Sequence, residues 1–209
     1  EKQIEITERE DGIEKAAEVL TAKVQENIPR NYEEKLCSRL ADYYIQLQDF
    51  PKAYFELSNI INKFSSSLQL DEYILKFTSV QLELKKFNDV KNDYAKYKKV
   101  FRESDNKDAY LLQIAQADFS LKDLDSAKEW LNKITTNDGG ILYRKQLLNA
   151  DVMLASGKYT NAVKGYRKLL NNDFASRDKL LLVLGDIYFE KFQQYNTAKK
   201  YYQRILTEY

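Results

Sequence analysis

Hydrophobic and small residues recur along the chain with a spacing of three, four and three positions. In the segment GKYTNAVKGYRKLL (157–170), Tyr159 precedes Ala162 by three residues, and Tyr166 and Leu169 follow Ala162 by four and seven. This spacing places the apolar positions on one face of an α-helix. The pattern can be aligned six times on its small residue, at Ala16, Ala53, Val90, Ala127, Ala162 and Ala198, with intervals of 37, 37, 37, 35 and 36 residues. A period of about 20–50 residues is typical of a solenoid, in which each unit buries its apolar face against its neighbours.

A second amphipathic helix is predicted before each of the last five motifs. It carries its own column of small residues, at Ala41, Thr78, Ala115, Ala150 and Gly185. Because small residues on both helices let two backbones pack closely, each unit is predicted to be a helix hairpin. The hairpin turns are predicted near Gln48-Asp49, Lys85-Lys86, Lys122-Asp123, Ser156-Gly157 and Gln193-Gln194.

Two segments carry a resemblance to a known family. LADYYIQLQDFPKAYFELSNII (40–61) and LGDIYFEKFQQYNTAKKYYQRIL (184–206) resemble the tetratricopeptide repeat (TPR) family, with a small residue in each helix and an aromatic before the alanine. The resemblance implies an all-α fold, a right-handed superhelical solenoid of antiparallel helix hairpins. It implies a single TPR-like domain over residues 1–209, with units at approximately 1–28, 32–68, 70–104, 107–138, 142–173 and 178–209.

The sequence departs from the family pattern at three places. Intervals of 37 residues exceed the usual 34 of the family, so the turns between units or the helix ends are expected to be longer. The unit that begins at Leu142 has Gln146 and Asn149 where apolar residues are expected, which predicts a rotated or strained first helix. The last unit carries one extra residue near 191–194. Because both ends look cut and a solenoid generally needs polar capping helices, we expect the chain to be a fragment of a longer protein.

Candidate catalytic chemistry is scarce in this sequence. The chain has no histidine, which removes histidine triads, histidine general bases and histidine metal ligands together. Its one cysteine, Cys37, lies on the apolar face of its helix and is predicted to be a core residue. Gly139-Gly140 lacks the Lys-Ser/Thr of a phosphate loop and is predicted to be a turn between helices. We therefore predict a protein that is not an enzyme, with no catalytic residues, no cofactor and no metal site.

Charge and hydropathy leave the compartment unknown. The 33 basic and 32 acidic residues give a net charge of +1, which implies no polyanionic partner. No apolar run approaches the roughly 18 residues that a membrane span needs, so none is predicted. The single cysteine cannot form an internal disulfide, and both a cytoplasmic and a bacterial envelope location stay open.

Nucleic-acid binding is a weaker alternative. The segment Lys91–Arg102 is rich in lysine, and its basic residues are interleaved with Tyr94 and Tyr97, a mixture that can bind phosphates and stack on bases. Both tyrosines, however, occupy core columns of the repeat. We therefore favour packed tyrosines and a solvated lysine face.

A second recurrent face of the first helices is the candidate partner-binding site. In the family that the chain resembles, the first helices line a concave groove where protein or peptide partners bind. The candidate residues are Asp42, Ile45, Leu75, Ser79, Leu82, Leu112, Gln116, Phe119, Leu147, Asp151 and Leu154, and the columns continue to Leu182, Asp186 and Phe189. Packing between units is the favoured interpretation of these columns, and contact with a peptide is the alternative.

The resemblance implies a non-enzymatic protein–protein interaction scaffold. A structural helical-repeat arm of a large, proteasome-lid-like assembly is the alternative function. The lysine, asparagine and arginine with which one TPR subclass binds the C-terminal carboxylates of a chaperone are replaced here by leucines and aspartates, so no carboxylate clamp is predicted. We expect no affinity for such acidic tails, and micromolar binding of one would contradict this expectation.

Overall fold

Residues 2–26 and 28–209 are described by a computed structural model, and within them the chain is helical without any β-strand. The helices are α1 (Lys2–Val24), α2 (Arg30–Gln46), α3 (Phe50–Lys63), α4 (Leu70–Glu83), α5 (Phe87–Tyr97), α6 (Lys107–Ser120), α7 (Leu124–Lys133), α8 (Gly139–Ala155), α9 (Tyr159–Leu169), α10 (Arg177–Asp186) and α11 (Tyr195–Glu208), with a π-helical turn at Ile187–Lys191. The predicted all-α repeat fold is confirmed. Glu1 and Asn27, which the predicted first unit includes, lie outside the described residues.

Contacts divide the chain into two compact units. The first ends at Gln113, and the second is Ile114–Tyr209. The first contains α1 to α5 and the start of α6, and the second contains the rest of α6 and α7 to α11. That the repeats form one right-handed superhelical domain stays a prediction.

Each predicted hairpin turn contains one residue in the left-handed region of backbone conformation. These residues are Gln48, Lys85, Lys122, Gly157 and Gln193, with φ between 53° and 74°. In four turns the next residue donates its N–H to the carbonyl five residues earlier: Asp49 to Tyr44, Lys86 to Gln81, Asp123 to Asp118 and Lys158 to Met153, at 2.8–2.9 Å. This is the Schellman arrangement that satisfies the last carbonyls of a helix, and it reverses the chain into the second helix of the hairpin.

The extra residue of the last unit lies in the π-helical turn. There the N–H of Gln194 reaches six residues back, to the carbonyl of Tyr188, at 2.9 Å. A π-helical turn absorbs one inserted residue without breaking the helix, so the last hairpin closes like the other four. The predicted insertion near 191–194 is therefore confirmed, and its bulge lies at 187–191.

Small residues sit where the two helices of a hairpin approach most closely. The six aligned small residues of the second helices are at most 1 % exposed. A Cβ atom added to Gly185 would lie 2.4 Å from the Tyr202 ring, and one added to Gly165 would lie 3.0 Å from the Cβ of Ala150. Only a very small residue fits at these two crossings.

Helix α8 buries a different set of positions from the other first helices. Asn149 is exposed, whereas its counterparts Leu40, Phe77, Ile114 and Leu184 are buried. Helix α8 instead buries Leu148, whose counterparts Arg39, Lys76, Gln113 and Val183 are only half-buried. This agrees with the rotated helix that Asn149 predicted.

The Gly139-Gly140 prediction is wrong in detail, because both glycines form the first turn of α8. The side chain of Asp138 accepts a hydrogen bond from the N–H of Ile141 at 2.7 Å and so caps the helix one residue before Gly139. A Cβ atom at Gly139 would lie 3.0 Å from the Phe174 ring. The absent side chain at position 139 therefore leaves room for Phe174 beside the helix start.

A repeated polar motif shapes the two long loops of the first compact unit. Ser67 and Ser104, 37 residues apart, donate their hydroxyls to Glu34 and Asp71, which are also 37 residues apart. Each serine oxygen also accepts the N–H two residues later, from Gln69 at 3.1 Å and from Asn106 at 2.9 Å. These bonds connect each loop to the first helix of its own hairpin. The longer loops that accompany the 37-residue interval are therefore held in a defined conformation.

Candidate functional site

The candidate residues of the first compact unit differ widely in exposure. Ile45, Leu75, Leu82 and Asp42 are half-buried, and Ser79 is exposed. Leu112 is only 6 % exposed. A leucine this deeply buried contributes to packing rather than to a surface.

Polar side chains connect the first helices of successive hairpins in this unit. The earliest of these first helices is the part of α1 before Gly12, where the backbone leaves helical geometry (φ 86°, ψ 174°). Three bonds join residues 34 positions apart: Arg39 with Glu5 at 3.7 Å, Lys76 with Asp42 at 2.8 Å, and Gln113 with Ser79 at 2.6 Å. Each donor stands two residues before the small residue of its own helix. In the last two pairs, the acceptor stands one residue after the small residue of the preceding first helix. We call this set of bonds the inter-helix ladder. Asp42 and Ser79 belong to it, so the structure gives both predicted contact residues a role inside the protein.

Charged groups in and beside the inter-helix ladder are held in their charged forms by hydrogen bonds. Burial opposes the charged form of Lys76, but hydrogen bonds to Asp42 and Glu72 outweigh this effect and raise the pKa of Lys76. Beside the first step, Glu8 pairs with Arg39 at 2.8 Å, and hydrogen bonds from Tyr43 and Arg39 lower the pKa of Glu8. The Lys76 ammonium and the Glu8 carboxylate are therefore both charged at neutral pH.

The second compact unit uses its aspartates differently. Asp151 accepts a hydrogen bond from the hydroxyl of Tyr166 at 2.6 Å, and Asp186 accepts one from Tyr202 at 2.8 Å. Each bond joins the first and second helix of one hairpin. Burial raises the pKa of Asp151 against the effect of its hydrogen bond with Tyr166. The other candidate residues of this unit, Gln116, Phe119, Leu147 and Leu154, are half-buried.

The most exposed apolar residues of the first-helix columns lie in the last hairpin. Leu182 on α10 is 48 % exposed, and Phe189 in the π-helical turn is 50 % exposed. Tyr195, 58 % exposed, packs its ring edge-on against Phe189 with centroids 5.2 Å apart. We call Leu182, Phe189 and Tyr195 the α10 patch.

Comparison with known proteins locates the family signal in the same hairpin. A tetratricopeptide-repeat model matches residues 180–209, which span α10, the π-helical turn and α11. Together with the helix hairpins, this match supports a TPR-like helical-repeat protein. Among curated proteins nothing matches it. TPR repeats are generally protein-interaction modules, and this is the general role that the match indicates.

The lysine-rich segment of the TPR-like protein keeps its tyrosines inside. Tyr97 is 7 % exposed, and the half-buried Tyr94 stacks with Tyr110 at 6.2 Å between ring centroids. Lys98, Lys99 and Arg102 are exposed. This arrangement agrees with the favoured interpretation of packed tyrosines and solvated cations.

No catalytic constellation emerges from the part of the TPR-like protein that the structure describes. Cys37 is 8 % exposed, and burial raises the pKa of its thiol to about 11, so the thiol stays protonated and unreactive at neutral pH. Among residues 2–26 and 28–209, no group of three or more Asp, Glu, Cys or His side chains is arranged to hold a metal ion. None of the helices in these ranges is both long and apolar enough to cross a membrane.

Sequence reasoning missed the donors of the inter-helix ladder. Arg39, Lys76 and Gln113 share one column of the repeat, but their side chains differ in chemistry, so the column looks like an ordinary solvated face. The signal that could have found them is a fixed offset of 34 residues between each donor and a carboxylate or hydroxyl in the preceding unit.

Proposed function

We propose that this TPR-like protein is a non-enzymatic interaction scaffold that binds an apolar segment of a partner protein through the first helices of its second compact unit. The α10 patch is the observation that carries the proposal. An aliphatic and two aromatic side chains, each about half exposed, lie where the first-helix columns end. Aromatic anchors of this kind dominate the binding energy of many protein interfaces.

The partner chemistry follows from the side chains around the patch. Leu147 and Leu154, half-buried on α8, occupy the same two columns as Leu182 and Phe189. Asp186 lies between the latter two residues on the helix and is exposed. A helical or extended segment with apolar side chains at regular spacing, and a hydrogen-bond donor between them, would match this arrangement.

The proposed contact surface differs from the predicted one, because it adds Tyr195 from α11 and leaves the half-buried Ile45, Leu75 and Leu82 of the first compact unit as predictions. Leu112 is left out because it is buried, and Asp42 and Ser79 are left out because the inter-helix ladder engages them. We also propose that the protein has no carboxylate clamp and no catalytic activity.

The proposal is tested by affinity capture from a native extract of the source cells. The test variant is Leu182→Glu/Phe189→Glu, which places charges on the half-exposed α10 patch. The matched control is Phe55→Glu/Leu68→Glu, since these residues are 63 % and 100 % exposed and lie outside the first helices. Because all four positions are exposed, both variants should melt within a few degrees of the wild type.

We expect the wild type and the control to retain a common partner and the test variant to lose it. Retention by the test variant, together with loss by the control, would reject the α10 patch. That result would favour the second candidate function, a structural arm of a large assembly, which the exposed Phe55 and Leu68 support. An arm of this kind buries broad surfaces outside a peptide groove.

A further inference from the structure

A small cavity in the first compact unit is rimmed by positive charge. It lies at the loop between α5 and α6 and has a volume of about 260 Å³. Four cationic residues, Lys98, Lys99, Arg102 and Lys107, contribute to its lining, and no carboxylate does. The loop and the start of α6 also carry Glu103, Asp105 and Asp108, but none of these carboxylates lines the cavity, so the lining is more positive than the segment around it.

None of these four cations is neutralised within residues 2–26 and 28–209. No hydrogen bond or ion pair between described residues involves their side chains, whereas Lys52, Lys63 and Lys76 all have carboxylate partners. Like charges around one cavity repel each other, and an anion in the cavity would relieve that repulsion. Arginine and lysine together form strong charge-assisted hydrogen bonds with phosphate oxygens.

Tyr110 contributes to the cavity wall. Its side chain is 1 % exposed and is stacked on Phe101, with ring centroids 4.0 Å apart. Its hydroxyl is buried and has no hydrogen-bond partner among the described residues. The hydroxyl has essentially no accessible surface, so a ligand in the cavity does not reach it.

The proton on Tyr110 is firmly held. Burial, followed by the nearby charge of Asp93, raises the pKa of the Tyr110 hydroxyl, so it is a donor at any physiological pH. Asp93 itself accepts a hydrogen bond from the amide of Gln81 at 2.8 Å. The tyrosine is therefore neutral and does not repel an anion in the cavity.

We propose that this cavity binds a phosphate monoester, with the four cations neutralising the phosphate. The cavity does not depend on the α10 patch. That the phosphate belongs to a phosphorylated serine or threonine of a partner protein rests on the proposed function.

A phosphorylated protein segment fits the cavity better than a nucleic acid does. Binding of single strands requires aromatic faces on which bases can stack. Phe101 and Tyr110 are 3 % and 1 % exposed and stack on each other, so their faces are occupied. The volume of about 260 Å³ lies below the range of about 300–1,000 Å³ that is usual for drug-sized ligands, which suits a single anionic group.

The first experiment is titration calorimetry of the full chain with three probes: inorganic phosphate, a short glycine- and serine-rich peptide carrying one phosphoserine, and the same peptide without phosphate. We expect phosphate and the phosphopeptide to bind and the unmodified peptide not to bind. Lys99→Gln/Arg102→Gln should weaken phosphopeptide binding by at least about tenfold, because both cations contact the anion directly. The matched control Lys164→Gln/Lys168→Gln removes the same charge from exposed positions on α9 and should change affinity by less than about twofold.

Tyr110→Phe separates ligand binding from packing. The substitution removes a buried hydroxyl that has no partner, so the melting temperature should rise by about 2–4 °C. Phosphopeptide affinity should change by less than about twofold in the same variant, because the hydroxyl has no surface open to the cavity. A loss of affinity of about tenfold or more would contradict an anion held by the four cations of the cavity rim.

The remaining outcomes are also decisive. Binding of inorganic phosphate without binding of the phosphopeptide would support the cavity and reject a protein ligand, leaving the α10 patch to be judged by its own variants. No binding of any phosphate probe would overturn the proposal. A single-stranded oligonucleotide that binds more tightly than the phosphopeptide, and loses affinity in Lys99→Gln/Arg102→Gln, would overturn it in favour of nucleic acid.

Discussion

Replacing Gly185 with alanine should lower the free energy of unfolding of the second compact unit by about 1–3 kcal/mol, the usual cost of overpacking. The added Cβ would lie 2.4, 2.8 and 2.9 Å from three atoms of the Tyr202 ring. The ring cannot move away freely, because its hydroxyl donates to Asp186 at 2.8 Å. One methyl group at this crossing must therefore either push the two helices apart or break a hydrogen bond.

Chemical denaturation followed by the fluorescence of Trp130, the one tryptophan of the chain, reports on this unit. The control is Gly157→Ala, because a Cβ there has no atom within 4 Å and costs only the strain of a φ of 74°, about 1 kcal/mol. In a Tyr202→Ala background, Gly185→Ala should cost much less than in the wild type, since the clash is gone. Equal effects in both backgrounds would show that Tyr202 does not cover Gly185.

Leu57→Ala is expected to destabilise the first compact unit by about 2–5 kcal/mol. Leu57 is 1 % exposed and stands four residues after Ala53, in a column whose counterparts Leu131 and Tyr166 are equally buried. Truncation therefore leaves a cavity between packed helices and also removes apolar surface from the core.

The matched control is Leu68→Ala, the same chemical change at a side chain that is fully exposed. It should alter the free energy of unfolding by no more than about 0.5 kcal/mol. Urea unfolding followed by far-ultraviolet circular dichroism measures both variants. Similar stability of the two would mean that the aligned columns are not the core of the repeat.

The hairpins could be predicted from the sequence because one periodic signal determines them. Small residues at fixed intervals and apolar residues at helical spacing leave only one face for each helix to bury, and this also located all five turns. The left-handed conformation of Lys122 could not be predicted, since lysine has no preference for it. There the hydrogen bond from Asp123 to Asp118 and the packing of both helices impose the conformation.

The candidate site was harder to predict because exposure depends on neighbouring helices. Leu112 and Leu182 occupy the same column, yet one is buried and the other is 48 % exposed. Lys76 and Asp42 look like solvated charges in sequence, and only their separation of 2.8 Å shows that they connect two helices. The sequence thus identifies the columns, whereas the three-dimensional contacts decide which members of a column remain available to a partner.

The most direct test of the account is site-specific photo-crosslinking in native extract. A photoreactive phenylalanine analogue is placed at Phe189, within the α10 patch, or at Phe55 on α3, an aromatic position of similar exposure. The account predicts a discrete crosslinked partner from position 189 and none from position 55. Crosslinking from position 55 alone would contradict binding through the first helices and would place the partner on the other surface of the repeat.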